Sequence, residues 1–361
     1  SIRTTGDCRV FLHTRRLQHG SQLFRRDGSR MGGTYSGAAP MVVERGKRKG
    51  PILTPSSLPC LANMPTINIT EGCAHGCLYC YTQGYSCYPG KGRVIVFDNI
   101  PDLVRSELAR KRCRPKRVYF SPSSDAFQPL DEVQETTYKT MSILLEAGVE
   151  VAFLTKGAIQ ERFSALFSRF QTRIFAQIGL ATLDEQIQKA LEPGAALPGQ
   201  RLEAIENLTR IGIGVRARLD PLVPDLTDTN ENLENLLSEL EKRQVRSIAA
   251  SYIFLRPAFA PRLSEMLHQY ARKNSSARAW FWHRLADGVG GGQMIAAADR
   301  QERFLRLSAL AARHRIDLHV CACKNPDLDL KTNCRIAGSA SNQIGEGPLF
   351  ESADLDQETQ S

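Results

Sequence analysis

Apolar and polar positions along the middle of this chain follow two periods, and the switches between them mark its elements. Thr66–Thr70 is a short β-branched run, Asp102–Arg112 has helical spacing, and Arg117–Phe120 reads as a strand. The pattern then repeats as helix Asp131–Ala147, strand Val149–Thr155, helix Ala158–Phe170 and strand Arg173–Ala181. It continues as helix Arg201–Ile211, strand Gly214–Leu219, helix Asn230–Arg243 and strand Arg246–Leu255. Such alternation implies an α/β fold with a parallel sheet and helices outside it. About six strand–helix units suit an open, partial (β/α)6-type barrel, in which chemistry sits at the C-terminal ends of the strands.

The flanks lack this periodicity. Residues 1–60 are rich in Gly, Ser and Arg and read as a basic, weakly ordered arm, with Arg45–Gly50 as its exposed end. The core spans 61–260, an extension covers 261–340, and 341–361 form a polar, acidic tail. The formal charge of +9 suggests a nucleic-acid partner at first sight. However, residues 1–50 hold eleven Lys/Arg against three Asp/Glu, which leaves the body near neutral. No apolar run reaches the roughly 18 residues a membrane span needs, and no signal peptide is evident. Cytoplasmic location without a membrane partner is the expectation.

Cysteine usage changes the picture. There are ten cysteines, and two groups are closely spaced, as expected of metal ligands rather than of a disulfide framework. Cys73, Cys77 and Cys80 form a C-x3-C-x2-C run directly after the first strand. Three thiolates so placed can hold three corners of a [4Fe–4S] cluster, with Gly72 and Gly76 bending the loop. One iron then keeps an open site. A zinc site is the alternative, but it needs a fourth donor, and His75 lies inside the run.

This motif after the first strand of a βα barrel resembles the radical S-adenosylmethionine (SAM) superfamily. The ending Cys80-Tyr81-Thr82-Gln83 and the stretches Ser123-Ser124-Asp125, Leu154-Thr155-Lys156, Glu192-Pro193-Gly194, Arg201–Ala204 and Pro221–Pro224 resemble its spore photoproduct lyase-like group. Arg256 matches the pattern less closely. The resemblance implies a cluster that chelates SAM and cleaves it reductively. It implies Tyr79 near the adenine, Ser124 and Asp125 hydrogen-bonding SAM, and Lys156 pairing with its carboxylate. Arg201 is a further SAM-site candidate and Gln177 a positional one. Tyr81 is the candidate for relaying a hydrogen atom. An electron donor such as flavodoxin or ferredoxin is implied as a partner.

The sequence departs from that group in two places. The donor cysteine of spore photoproduct lyases is expected two residues before the Ser-Asp pair, where Pro122 or Ser123 stands. Cys87 and Cys113 are nearby, but no motif supports either. The second departure is Cys321, Cys323 and Cys334, with Leu318–Cys323 read as a strand carrying the first two on one face. These cysteines can hold an auxiliary Fe–S cluster, or zinc with His319 as a fourth ligand. Gly288–Gly292 reads as a flexible loop or lid, and Trp280, Phe281 and Trp282 as packing residues able to stack on a base. Three functions follow: a radical SAM enzyme with an unidentified substrate, a nucleic-acid lesion lyase, or a non-catalytic Fe–S electron-transfer or redox-sensing protein.

Overall fold

The computed structural model describes residues 41–56, 61, 64–257, 259–273, 285–287 and 292–329. They open with β1 (Val42–Gly46), β2 (Thr54–Pro55), β3 (Pro65–Ile67) and β4 (Thr70–Glu71), then β5 (Arg93–Phe97) and α1 (Ile100–Arg110). The repeating part is β6 (Arg117–Phe120), α2 (Asp131–Glu146), β7 (Glu150–Thr155), α3 (Arg162–Arg169), β8 (Ile174–Gly179), α4 (Glu185–Leu191), α5 (Pro198–Arg210), β9 (Val215–Leu222), α6 (Asn230–Lys242), β10 (Ser247–Tyr252) and α7 (Ala260–Lys273). A hairpin of β11 (Leu285–Asp287) and β12 (Gln293–Ile295), then α8 (Ala297–Arg313) and β13 (Asp317–Val320), complete the order.

One sheet of eight strands runs β13-β10-β9-β8-β7-β6-β3-β2. Only β2 is antiparallel to its neighbour, so seven parallel strands stand side by side in an open, partial barrel. The central strands β6 to β10 are largely buried on both faces, as a parallel sheet covered by helices requires. On the helix side, Phe127 packs tilted against Phe153 and edge-on to Phe163, with ring centres 4.9 and 5.0 Å apart, beside α3 and the sheet. On the other side Tyr119 and Ala152 form a separate cluster with Leu61. Each such ring contributes about 1.5–3 kcal/mol by burial. Helix boundaries follow local chemistry. Asp184 caps α4 by accepting from the Gln186 and Ile187 amides. Asp131 and Glu132 favour the start of α2, and Gly148 at φ 82° ends it.

Three expectations differ from what is found. The run Thr66–Thr70 is not one strand: Asn68 leaves the ladder to accept the Ser123 amide, so β3 joins the barrel and β4 pairs with β5. The arm is not weakly ordered over 41–56, because β1 pairs with β5 in parallel, and Arg45 and Lys47 reach Glu132 and Asp98. The strand expected over Leu318–Cys323 stops at Val320. There the Lys324 amide and the Asn325 side chain both bond the Cys321 carbonyl and turn the chain. Cys321 and Cys323 therefore do not share a strand face.

The extension is joined to the barrel. β13 pairs with Ser247–Ala250 of β10. α8 is fixed by Asp228, fully buried, which accepts from Tyr252, Arg303 and Arg306 and from the Asp225 amide. No described helix is long and apolar enough to cross a membrane.

Candidate active site

The cysteine triplet occupies the loop between β4 and a 3-10 turn at Tyr81–Gly84, and its three thiols are free and partly buried. Gly72 (φ 78°) and Gly76 (φ 59°) make the bends, and a Cβ on Gly72 would strike the Arg93 carbonyl. Backbone contacts seat the loop. The Ala74 amide donates to Gln128 Oε1 at 2.7 Å, and Gln128 Nε2 donates to Thr70 Oγ1 and the Asp125 carbonyl. The Leu78 amide donates to the Leu191 carbonyl and the Gly194 amide to the His75 carbonyl. Gly194 approaches so closely that a Cβ would meet the Ala74 carbonyl. Gln83 donates to the Cys77 carbonyl and accepts from Arg262 of α7. This gives the Cys-Tyr-x-Gln ending a physical role.

Burial pushes the Cys73 thiol well up and the Cys77 thiol up to about 12. Both stay protonated until a metal compensates the thiolate charge. Among the described residues no three His, Cys, Asp or Glu side chains close around one ion. A zinc ion holds its donors about 2.3 Å from one centre, whereas a cubane spreads three thiolates over three irons. Three free thiols on one short loop are a donor set that suits the second arrangement.

The other expected residues gather beside it. Lys156 follows β7, and its ammonium donates to the Tyr79 phenol at 2.7 Å, 3.4 Å from the Glu192 carboxylate. The Tyr79 hydroxyl in turn donates to Glu192. Burial opposes the Lys156 charge, but Glu192, Cys77 and Asp220 outweigh it and raise its pKa. Arg201, 1% exposed, donates to Glu192 and to the Ala196 and Gly179 carbonyls. Burial disfavours the Glu192 charge, yet Lys156 and Arg201 hold the carboxyl down to about 2. Asp125 organises the turn after β6. It accepts from the amides of Phe127 and Lys156 and from Thr155 Oγ1, and it lies 3.5 Å from His75 Nδ1. Ser124 Oγ is buried with no hydrogen-bond partner among the described residues, which suits a polar ligand.

Tyr81 is exposed, donates to the Pro122 carbonyl and packs edge-on to Tyr85 at 5.7 Å. Gln177 lies within β8 opposite Leu154 and is buried; the strand runs on to Gly179. Arg256 lies over the Phe254 ring, beyond β10. Cys113 precedes β6 and so lies at the opposite end of the sheet from the triplet, whereas Cys87 stays on the cysteine-loop side. Cys321 is buried at the end of β13. The Cys323 side chain, Cys334, residues 280–282 and 288–291, and the tail lie outside the described residues. Glu192, known from the sequence only as part of a family-like stretch, and Gln128 are hubs to which the sequence reading gave no role. A carboxylate between a cysteine-loop tyrosine and two cations has no spacing signal, since all four groups come from different elements. A larger cavity, of about 680 Å³, opens between α4, α5 and α6, and no cysteine-loop residue lines it.

The fold is an open parallel α/β barrel with three free thiols beside the Lys156–Glu192–Arg201 group. Residues 67–240 match the family described as the Radical SAM superfamily. The chain is similar to spore photoproduct lyase with bound AdoMet and dinucleoside spore photoproduct, at 16% identity and TM-score 0.57, covering 76% of this chain and 81% of that one. This likeness shows a shared fold. An uncharacterised Mycobacterium tuberculosis protein is 26% identical over 200 residues, covering 53% of this chain and 59% of its own length. A radical SAM Nalpha-GlyT isomerase of Pseudomonas phage M6 is 27% identical over 198 residues, covering 55% and 41%. The chain thus spans about half the length of the curated relatives it matches.

Proposed function

We propose that this protein is a radical SAM enzyme, with Cys73, Cys77 and Cys80 holding a [4Fe–4S] cluster and the mouth beside them holding SAM. The cluster and SAM, when bound, supply a 5′-deoxyadenosyl radical for hydrogen abstraction from a substrate. The observation that carries the reading is the seating of the free-thiol loop against the Lys156–Tyr79–Glu192 group at one end of the sheet. Lys156 neutralises the SAM carboxylate, and Ser124 offers its unpartnered hydroxyl. Asp125 acts through the turn it ties together, because its oxygens already accept three bonds. Tyr81, on the exposed rim, lines the substrate pocket or relays a hydrogen atom. A low-potential donor such as flavodoxin or ferredoxin supplies the electron. The cytoplasm, reducing enough for the free thiol of Cys113, is the fitting compartment.

A second metal site at Cys321, Cys323 and Cys334 belongs to this proposal. Cys321 ends a parallel strand, and Lys324, three residues on, reaches Asp220 of β9 at 2.8 Å. The test is anaerobic reconstitution with SAM and dithionite, followed by chromatography for 5′-deoxyadenosine. Wild type is expected to form it and Lys156→Ala to form far less; no product from wild type ends the proposal.

The likeness to spore photoproduct lyase favours a second reading, action on a nucleic-acid lesion. The Pro122–Ser123 position, which lacks a donor thiol, opposes it. DNA binding by a chain lacking residues 1–40, which keeps β1 intact, would support this reading. Loss of all binding on that truncation would reduce it to the charge of the arm.

A further inference from the structure

We propose that Glu192 is the positioning residue of the SAM site: one carboxylate oxygen holds Tyr79 and Lys156 as a preformed pair, and the other is anchored by Arg201. The inference rests on the radical SAM reading and adds a residue that no motif role assigns. Glu192 has 6% exposure and lies in the segment that clasps the cysteine loop. Its first oxygen accepts from the Tyr79 hydroxyl and faces the Lys156 ammonium at 3.4 Å. Its second accepts from Arg201, which is itself immobilised on the Ala196 and Gly179 carbonyls at 2.8 Å. The Lys156 stem crosses Gly179, where a Cβ would stand 2.8 Å from Cγ. Three elements therefore meet on one carboxylate, the cysteine loop, the end of β7 and α5, and the end of β8 holds Arg201 in place.

The arrangement has a chemical consequence. Within this group Lys156 and Arg201 share one carboxylate, and Arg201 takes its second oxygen, so the Lys156 ammonium keeps a donor for an acidic ligand group. The Lys156 ammonium has three donors and the described contacts occupy two, so the third is left for the ligand. Without Glu192, Tyr79 and Lys156 lose their common acceptor, and the ammonium is left to a wide set of rotamers. Prepaid orientation of this kind appears in affinity rather than in cluster assembly.

The experiment uses full-length protein reconstituted anaerobically as wild type, Glu192→Gln, Tyr79→Phe and the double variant. Iron and sulfide content, the EPR signal of the reduced cluster with and without SAM, and the SAM dissociation constant are measured on each. Glu192→Gln is expected to load wild-type iron, to bind SAM at least tenfold more weakly, and to regain the SAM-perturbed signal at saturation. The double variant is expected to bind less weakly than the product of the single effects, because both substitutions break one contact. A dissociation constant within twofold of wild type overturns the inference. Loss of iron from Glu192→Gln also overturns it, by making Glu192 a support of the loop. A wild-type cluster whose signal ignores SAM overturns the parent reading, and this one with it.

Discussion

Two glycines at the site have opposite consequences when a methyl group is added, and the difference tests whether the loop seating is real. At Gly194 a Cβ would meet backbone, the Ala74 carbonyl, and stand 3.1 Å from His75 Cα. Neither can move without shifting the cysteine loop. Overpacking costs about 1–3 kcal/mol, and losing the Gly194–His75 bond and straining Leu78–Leu191 each cost about 0.5–1.5 kcal/mol. Gly194→Ala should therefore destabilise by about 2–6 kcal/mol and lower the iron that the loop retains. At Gly179 the Cβ would meet only the Lys156 side chain, 2.8 Å from Cγ and 2.9 Å from Cε. A lysine stem can swing away. Replacing glycine near a strand end recovers about 0.5–1 kcal/mol of backbone entropy, so Gly179→Ala should change stability by less than about 1 kcal/mol while displacing Lys156 and weakening SAM binding. The assay is urea unfolding of the reduced, metal-free proteins, with iron content and SAM affinity measured after reconstitution. A Gly179→Ala protein less stable than Gly194→Ala would refute the reasoning.

Replacing Cys73, Cys77 and Cys80 by alanine should remove about four irons, and replacing Cys321, Cys323 and Cys334 should lower a total of about eight to about four; iron and sulfide analysis decides both. The Glu192 carboxyl is held from its usual 4.5 down to about 2. Its contribution to stability is thus complete above the unfolded value and is lost as pH falls toward 2. Urea midpoints followed across that window should fall more steeply for wild type than for Glu192→Gln, and parallel curves would disprove the linkage. Asp228→Ala removes the shared acceptor of Tyr252, Arg303 and Arg306 and leaves the buried Tyr252 hydroxyl unpaired, which should cost about 1–3 kcal/mol. Unfolding with no loss of stability would show that α8 is held by its apolar face alone.

The barrel was legible because its strands carry continuous apolar runs and its helices keep helical spacing between them. Lys156 was named by resemblance, and its place directly after a buried strand agrees with that expectation. What stayed hidden depends on contacts between distant segments. β1 is five residues in a basic stretch, and only its pairing with β5 makes it a strand. Thr66–Thr70 looks uniform, yet the Asn68 side chain divides it by bonding a residue more than fifty positions away. Glu192 and Gln128 carry no spacing pattern, because their partners come from different turns. Asp125 and Arg201 were found by resemblance as ligand-binding candidates. The hydrogen bonds show what each does within the protein: one ties a turn, and the other anchors a carboxylate.

The cysteine loop is recognised mainly through its backbone. The Ala74 and Leu78 amides and the His75 and Cys77 carbonyls make the seating bonds, so most side chains between the cysteines are free of that task. Tyr79 is the exception, since its hydroxyl reaches both Lys156 and Glu192. Two layers follow from this division. The inner one runs from the loop to Glu192 and is the part that the proposed function assigns to the cofactor. The outer one is built from other parts: Tyr81 on the rim, and Asp220, which Arg218 and Lys324 hold ionised against its burial at about 2. Lys324 comes from the turn after β13, beyond the stretch that matches the family. If substrate choice resides in that outer layer, Lys324→Met should alter turnover of the eventual substrate while leaving SAM affinity and 5′-deoxyadenosine formation in its absence near wild type. A parallel fall in SAM affinity would merge the two layers into one and place the Asp220 group within the cofactor site.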